Sequence, residues 1–224
     1  VLRHCLGSIL AQSLTPRELI IIDNYSTDST LEVIKSFKEK VGFPVIISRE
    51  KTSLYPAIYN HGLRVAKNDW VIFIDDDCVA DPGWLENLTE KIEENPFFAA
   101  VVGSSKTYHQ KNIYSLSTWF LDEVWKKNGR RKCEIVDFTT LDNKNIAYNR
   151  NFLLKNNIAY DEKRTLLKGA AEDADMGLQI ECAGGRALYA PEAIIYHKDP
   201  RSFNEFWKKS FFSRKAIETL RKKW

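Results

Sequence analysis

The sequence predicts an α/β fold in which a mostly parallel central sheet is flanked by helices. Short apolar runs of strand length alternate with longer segments whose apolar residues recur every three or four positions. The run at residues 70–74 is apolar throughout, which is typical of a strand buried on both faces of a parallel sheet. Because such alternation produces right-handed strand–helix–strand units, successive strands are expected to run in the same direction.

The first half of the chain shows this alternation most clearly. It begins with a predicted helix, and because a parallel α/β domain rarely starts with a helix, we expect a further strand ahead of residue 1. Helices and strands are then expected to alternate as far as residue 102. The helices are predicted at 2–12, 30–40, 55–66 and 82–94, and the strands at 18–23, 44–47, 70–74 and 98–102.

The second half alternates less regularly. Its predicted elements are helices at 113–127 and 172–182, a strand-like segment at 135–139, a polar loop at 141–145, and short strands at 187–190 and 194–197. Residues 201–224 combine aromatic residues at helical spacing with many Lys and Arg side chains. This pattern fits an interfacial membrane helix and a helix packed on its own domain equally well. The chain therefore divides into residues 1–105, 106–200 and 201–224.

Composition limits the function classes. With 224 residues, 44% of them hydrophobic and 28% charged, the chain has the composition of an ordinary globular protein. A formal net charge of +3 is too small to indicate nucleic-acid binding. The four cysteines are far apart and match no zinc or disulfide spacing, which favours a reducing, cytoplasmic location. No run approaches the roughly 20 apolar residues of a membrane span.

Three consecutive carboxylates, Asp75, Asp76 and Asp77, follow the apolar strand at 70–74. They are therefore expected at the carboxyl end of a strand, where open α/β sheets bind ligands. Like charges this close are costly unless a cation compensates them, and carboxylate oxygens suit Mg²⁺ or Mn²⁺. The simpler alternative is an acidic loop leading into a helix with Asp81 as its N-cap, but this does not explain the triplet.

Four segments of the chain, taken in order, resemble the signatures of family 2 glycosyltransferases. They are DNYSTD at 23–28, DDD at 75–77 with DPGWL at 81–85, EDADMGL at 172–178, and APEA at 190–193 running on to Tyr196 and His197. The resemblance implies a GT-A fold and an inverting transferase that uses a nucleotide diphosphate sugar. It further implies a nucleotide-sugar-binding half at 1–105 and an acceptor-binding, catalytic half at 106–200.

The resemblance also implies roles for individual residues. Asp173 is expected to be the general base that takes the proton of the acceptor hydroxyl, kept ionised by the dipole of its helix. Helix capping is the alternative role for Asp173, and Glu172 or Asp175 could fill it. The other implied residues fall into two sets. The nucleotide sugar is expected to contact Asp23, Asn24, Asp75 and Asp76, and the divalent metal is expected to contact Asp75, Asp77 and His197.

Three of these implied roles are more specific. Asp23 is expected to hydrogen-bond the nucleotide base, and Asp75 to contact the ribose or the metal shell. His197 falls where some relatives have a third metal ligand or a phosphate contact. The alternative for His197 is a histidine at a strand end that makes only a local hydrogen bond.

Two features concern the substrates. Relatives often have an arginine at the position of Tyr59, before Asn60, and Lys51 or Arg64 could replace its contact with the donor phosphate. The Gln-x-x-Arg-Trp motif of processive polysaccharide synthases does not occur in the sequence, which favours single additions. The acceptor is expected to be a saccharide, a lipid-linked molecule or a protein. A lipid-linked acceptor fits only if residues 201–224 contact the inner face of the membrane.

Two other function classes stay open. DDDCV at 75–79 also resembles the Asp-x-Asp-x-Val motif of haloacid-dehalogenase-type phosphatases, in which Asp75 would attack phosphorus and Asp77 would act as the acid. That class leaves residues 23–28 unexplained. The other alternative is a catalytically silent domain that binds a sugar nucleotide or a partner protein.

Overall fold

The computed structural model describes residues 1–52, 54–163 and 171–224, except for the side chains of residues 214–217 and 219. The helices are α1 Leu2–Leu10, α2 Thr30–Lys38, α3 Tyr55–Val65, α4 Trp84–Glu94, α5 Ile113–Asn128, α6 Arg150–Lys155, α7 Glu172–Cys182 and α8 Phe203–Lys223. The strands are β1 Leu19–Asp23, β2 Val45–Arg49, β3 Trp70–Ile74, β4 Cys78–Ala80, β5 Ala100–Thr107, β6 Arg130–Arg131, β7 Glu134–Ile135, β8 Asn145–Asn149 and β9 Ala187–His197.

The strands of the described residues form two sheets. β1 and β2 pair in parallel, with Asp23 opposite Arg49. The larger sheet has the order β3, β8, β5, β9, β7, β6, and β4 pairs with β9 outside this path. β5 and β9 are parallel, whereas β8 runs antiparallel between β3 and β5, so β3, β5 and β9 share one direction. The predicted α/β fold class is confirmed, with β8 as a reversed strand between strands of one direction.

Every helix and strand predicted before residue 105 is present, with ends shifted by a few residues. β5 continues to Thr107, and the helix predicted from residue 82 begins at Trp84. β4 is an additional element. It has only three residues, too few to show a periodic pattern, and it forms because Cys78 to Ala80 pair with β9.

The polar loop predicted at 141–145 is present up to Lys144, and β8, which was not predicted, begins at the last residue of that segment. Its first residue, Asn145, is fully buried, and its side-chain amide donates to the carbonyl oxygens of Ser104 at 2.8 Å and Ala193 at 2.9 Å. Its side-chain oxygen accepts from the indole N–H of Trp84 at 2.7 Å. A buried polar residue at the start of a strand does not follow the hydrophobic pattern of a strand, which explains why β8 was not predicted.

The strand predicted at 135–139 is also mostly wrong. The extended segment ends at Ile135, and Phe138–Thr140 forms a 3-10 turn instead. The carboxylate of Asp137 accepts a hydrogen bond from the backbone N–H of Thr139 at 3.0 Å, a local contact that competes with strand pairing.

The two short strands predicted near the end of the sheet are one strand, β9. Its register against β5 shifts between Gly103 and Ser104. A Cβ atom at Gly103 would collide with the side chain of Asn145 and the carbonyl of Ala193, so only glycine allows this close approach.

The core lies on both faces of the larger sheet. Ile146 and Tyr148 of β8 pack on one face with Met176 of α7, whereas Ala147 packs on the other face with Leu88 of α4. A third cluster joins α1 and α2 to the small sheet. Burying one large apolar side chain contributes about 1.5–3 kcal/mol, so these clusters fix the helices that position the site. In the part of the chain that the structure describes, no helix is long and apolar enough to span a bilayer.

Candidate active site

The acidic triplet lies in the turn between β3 and β4. The carbonyl of Asp75 accepts a hydrogen bond from the backbone N–H of Cys78 at 3.1 Å, which closes this turn. Burial, together with the charges of Asp77 and Asp142, raises the pKa of Asp75 to about 6, and the charge of Lys144 opposes this rise. Burial and the charge of Asp77 also raise the pKa of Asp76. Negative charge is therefore concentrated at the carboxyl end of β3, as the sequence predicts.

Pairing of β4 with β9 brings His197 to this acidic turn. Its Nε2 atom lies 3.6 Å from Oδ2 of Asp77, and its Nδ1 atom lies 2.8 Å from Oδ1 of Asp199. Burial alone would raise the pKa of Asp199, but the contact with His197 and the charge of Lys209 lower it. Asp199 therefore stays ionised and orients the imidazole so that Nε2 faces Asp77, an arrangement that metal-binding histidines use.

The fit of these residues to a divalent metal is partial. Among the described residues, no group of three or more His, Cys, Asp or Glu side chains is arranged to hold a metal ion. Asp77 and His197 are close enough to act as a pair, and Asp75 adds its charge to that of Asp77. Mg²⁺ and Mn²⁺ often take only one or two protein ligands and complete their shell with water and substrate phosphate. The donor set is therefore compatible with such a metal.

Asp23 and Asn24 belong to a separate cluster at the end of β1. The carboxylate of Asp23 accepts from Nε of Arg49 at 2.9 Å and from the backbone N–H of Ser26 at 3.1 Å. Burial alone would raise the pKa of Asp23, but these two hydrogen-bond donors lower it. Asn24 accepts from the backbone N–H of Thr52 at 3.1 Å, which joins the turns after β1 and β2. In the described residues both side chains thus have structural partners.

Asp173 lies in the first turn of α7. Its carboxylate accepts a hydrogen bond from the backbone N–H of Ala174 at 2.8 Å. Burial, together with the charges of Glu172 and Asp142, raises the pKa of Asp173 to about 7. The helix dipole was expected to keep this group ionised, but burial and the neighbouring carboxylates outweigh it. A carboxylate with a pKa near neutrality is well matched to proton transfer at ordinary pH.

The sequence patterns missed a buried ionic cluster whose charges act on both Asp75 and Asp173. Both Lys126 and Lys144 donate to the carboxylate of Asp142. Burial alone would raise the pKa of Asp142, but the two lysines hold it well below its usual range. The positive charge of Lys144 also lowers the pKa of Asp75 and of Asp173. The only available signal was the mixed charge of the polar loop at 141–145.

Tyr59 occupies the position where an arginine was expected. Its ring centroid lies 5.0 Å from that of Tyr160 and 5.6 Å from that of Phe73. Burial raises its pKa, and the charges of Asp75 and Asp173 contribute. The charges of Asp75 and Asp173 thus both act on the hydroxyl of Tyr59.

The two candidate replacements for that arginine have other contacts. Nη1 of Arg64 lies 3.8 Å from a carboxylate oxygen of Glu162, and Nη2 lies 4.0 Å from one of Glu50. Nζ of Lys51 lies 5.7 Å from the ring centroid of Tyr25. The structure thus places Lys51 with the cluster around Asp23 and places Arg64 between two acids.

The end of α8 contacts the helix of Asp173. Asp175 is buried, and its carboxylate accepts from Nζ of Lys223 and from the indole N–H of Trp224, both at 2.9 Å. Lys223 also donates to Asp161 at 3.0 Å. These contacts fix the first turn of α7 against the last residues of α8.

Comparison with known proteins is consistent with this geometry. A family model described as "Glycosyl transferase family 2" matches residues 1–161. The glycosyltransferase GlyA of Streptococcus pneumoniae serotype 4 is 33% identical over 93 residues, which are 42% of this chain and 13% of that protein. The poly-β-1,6-N-acetyl-D-glucosamine synthase of Staphylococcus aureus strain COL is 29% identical over 108 residues, 48% of this chain and 26% of that protein.

Solved structures show the same fold. S. aureus TarS 1–349 in complex with UDP-GlcNAc superposes with a TM-score of 0.70 at 19% identity, covering 92% of this chain and 56% of that one. The mannosyltransferase PcManGT from Pyrobaculum calidifontis, in complex with GDP-Man and Mn²⁺, has a TM-score of 0.65 at 17% identity, with 92% and 59% covered. The chain thus spans little more than half of these structures and about a third or less of the curated relatives. The fold is GT-A.

Proposed function

Because the chain belongs to glycosyl transferase family 2 and is a glycosyltransferase, we propose that it transfers one sugar from a nucleotide diphosphate sugar to an acceptor hydroxyl with inversion. The observation that carries the proposal is that two acidic groups lie near one buried ion pair. Asp75 to Asp77 follow β3, Asp173 lies in the first turn of α7, and the charges of Asp142 and its partner Lys144 act on both Asp75 and Asp173.

The donor is proposed to bind at the acidic turn of residues 75–77 and at the cluster around Asp23. Structures of the same fold carry UDP-GlcNAc or GDP-Man, which supports a nucleotide sugar as the ligand here. In this proposal Asp23 and Asn24 shape the base pocket, and Asp75 and Asp76 contact the ribose and the sugar. Asp23 retains acceptor capacity for a base because each carboxylate oxygen accepts more than one hydrogen bond.

A divalent metal, Mn²⁺ or Mg²⁺, is proposed to bind Asp77 and His197, with Asp75 beside them. When bound, it would supply positive charge that stabilises the negative charge developing on the leaving diphosphate. Asp199 would hold the imidazole of His197 in place through the 2.8 Å contact at Nδ1. The side chains of Asp77, His197 and Asp199 lie together because β4, which follows Asp77, pairs with the end of β9.

The transfer step is proposed to use Asp173 as the general base. As the acceptor oxygen attacks the anomeric carbon, its proton moves to Asp173, the new C–O bond forms, and the bond to the diphosphate breaks. The nucleoside diphosphate leaves from the opposite face, so the configuration inverts. A positioned base typically contributes ~10²–10⁴-fold to such a step.

The acceptor is proposed to be a hydroxyl of a saccharide, a lipid-linked molecule or a protein, on the cytoplasmic side. Contact of residues 201–224 with a membrane would bring a lipid-linked acceptor to the site. Nucleic acid is not an expected partner. Each transfer is proposed to add one sugar without processive extension.

The test combines donor binding and transfer. Thermal unfolding is measured with UDP, GDP, dTDP or CMP, each with Mn²⁺ or EDTA, for the wild type, Asp77→Asn and the exposed control Glu94→Gln. A ligand at ~100 times its dissociation constant adds ~2.7 kcal/mol, which is easily detected. We expect one nucleoside diphosphate to stabilise the wild type and the control in the presence of Mn²⁺, with most of the effect lost in Asp77→Asn.

The matching nucleotide sugars are then offered with saccharide, lipid-linked and protein acceptors. Transfer with inverted configuration supports the proposal. Donor binding without transfer to any acceptor would indicate a silent binding domain. Hydrolysis of a generic phosphomonoester without donor binding would indicate the phosphatase class, which the family membership does not favour.

A further inference from the structure

Large apolar side chains are exposed along one face of α5 and along one ridge of α8. The exposed fractions of these side chains lie between 45% and 67%. They are Ile113, Phe120, Leu121, Val124 and Trp125 on α5, and Phe203, Trp207 and Phe211 on α8. The spacing on α5 covers one side of the helix, and the three residues of α8 follow at four-residue steps. We call these eight residues the α5–α8 surface.

The two helices lie beside each other, and Phe203 of the α8 strip contacts α5. The ring centroid of Tyr114 on α5 lies 6.4 Å from the centroids of both Phe203 and Phe206 on α8. Nζ of Lys209 lies 3.8 Å from Oδ2 of Asp122, which joins the same two helices. A contiguous exposed apolar patch of this kind usually marks a contact with a partner or a membrane.

The charge of the chain is segregated onto the same elements. Residues 113–132 and 201–224 contain 13 basic and 4 acidic side chains, a net charge of +9. Because the whole chain has a net charge of +3, all the other residues together carry −6. Basic side chains that are exposed next to the apolar strips include Lys127, Arg131, Lys132 and Lys208.

In the described residues, the acids of α5 contact two other basic side chains and not the four exposed ones named above. Asp122 is paired with Lys209, and Glu123 lies 3.8 Å from Nη1 of Arg130. The surface therefore presents unneutralised positive charge around an aromatic and aliphatic centre.

We propose that the α5–α8 surface binds an anionic lipid bilayer. Aromatic and aliphatic side chains at this density gain free energy by entering the headgroup region, and the surrounding Lys and Arg side chains are attracted to anionic lipids. A second copy of the chain is a poorer occupant because two such surfaces would bring like charges together. A nucleic acid is a poorer occupant because Ile113, Leu121 and Val124 offer nothing to phosphate or to base edges.

The proposal adds α5 and the following β6–β7 hairpin to the membrane contact proposed for residues 201–224. It does not depend on catalysis, although the idea that a lipid-linked acceptor reaches the site from this surface rests on the proposed function. Binding is therefore measured without donor or acceptor, so that failure of transfer and failure of membrane binding are distinguishable.

The experiment is co-sedimentation of the whole chain with vesicles. One set contains phosphatidylcholine alone, and the other contains equal parts phosphatidylcholine and phosphatidylglycerol. We expect binding to the anionic vesicles that weakens with salt, with a loss of at least about tenfold in Phe120→Ser with Trp125→Ser. Arg131→Ser with Lys132→Ser should lose about fivefold for each charge removed.

The matched control is Phe97→Ser. Phe97 is 93% exposed but lies outside the surface, in the loop between α4 and β5, so its replacement should leave binding unchanged. All these side chains are exposed, so the variants should fold, and unchanged thermal unfolding checks this. Equal loss in the control and in the α5 variant overturns the proposal. So does a concentration-dependent dimer in the absence of vesicles, or tighter binding to a short single-stranded RNA.

Discussion

Two aspartates near Lys144 show how their immediate partners decide the chemistry of a carboxyl group. Asp142, in the loop before β8, accepts hydrogen bonds from Lys126 and Lys144, and its pKa lies well below the usual range. Asp173, in the first turn of α7, accepts from one backbone N–H among the described residues, and burial raises its pKa to about 7. The carboxylate held by two lysines is suited to a structural role, and the one with the raised pKa is suited to taking up a proton.

The largest expected effect is on transfer by Asp173→Asn. An amide cannot accept the acceptor's proton, so transfer should fall by about 10²–10⁴-fold while donor binding is retained. Transfer is measured at saturating donor, and donor binding by thermal shift. Folding stability at neutral pH should not fall, because burial of this carboxylate disfavours its ionised form. Wild-type turnover in this variant would remove Asp173 from the mechanism.

Asp142→Asn should show the opposite pattern. It leaves Lys126 and Lys144 in a buried site without their anion, so the free energy of unfolding should drop by about 3–5 kcal/mol. Chemical denaturation measures the loss. Adding Lys126→Met to Asp142→Asn removes one unpaired cation and should restore part of the stability. If Asp142→Asn destabilises the fold no more than Glu94→Gln does, the ion pairs of Asp142 with Lys126 and Lys144 do not stabilise the fold.

The contact between α8 and α7 should have a smaller effect. Lys223→Ala removes two hydrogen bonds, to Asp175 and to Asp161, and the cation next to buried Asp175, which should lower the free energy of unfolding by about 1–2 kcal/mol. Trp224→Phe keeps the aromatic ring and removes only the N–H donor, so its cost should be about 0.5–1.5 kcal/mol. The neighbouring Lys222→Ala is the matched control. Identical unfolding curves for all three variants would contradict a stabilising role for these contacts.

The sequence predicted the parts of the site that depend on local pattern. The apolar run before Asp75 placed the acidic turn at the carboxyl end of β3, and the acids of 172–178 placed Asp173 in a first helical turn. Both features depend on residues adjacent in the chain. The family resemblance was confirmed for the same reason, since its signatures are short segments in a fixed order.

Long-range contacts could not be predicted in this way. Lys126 and Asp142 are 16 residues apart, and they meet only because of tertiary packing. Asp23 and Arg49 are 26 apart and meet through the pairing of β1 with β2. For the same reason, the sequence predicted an ionised Asp173, whereas the structure raises its pKa. A helix dipole can be inferred from sequence, whereas burial and the charge of a residue from another element cannot.

The pH dependence of transfer tests the central claim most directly. Asp173 must be deprotonated to act as the base, and its pKa is raised from 3.8 to about 7, so at acidic pH most molecules hold it protonated. The rate at saturating donor and acceptor should therefore rise about tenfold per pH unit below neutrality and level off above it. The residual rate of Asp173→Asn should not show this rise with pH below neutrality. A wild-type rate that stays flat from about pH 5 to pH 9 would contradict the assignment of Asp173 as the base, and so would the same rise with pH in Asp173→Asn.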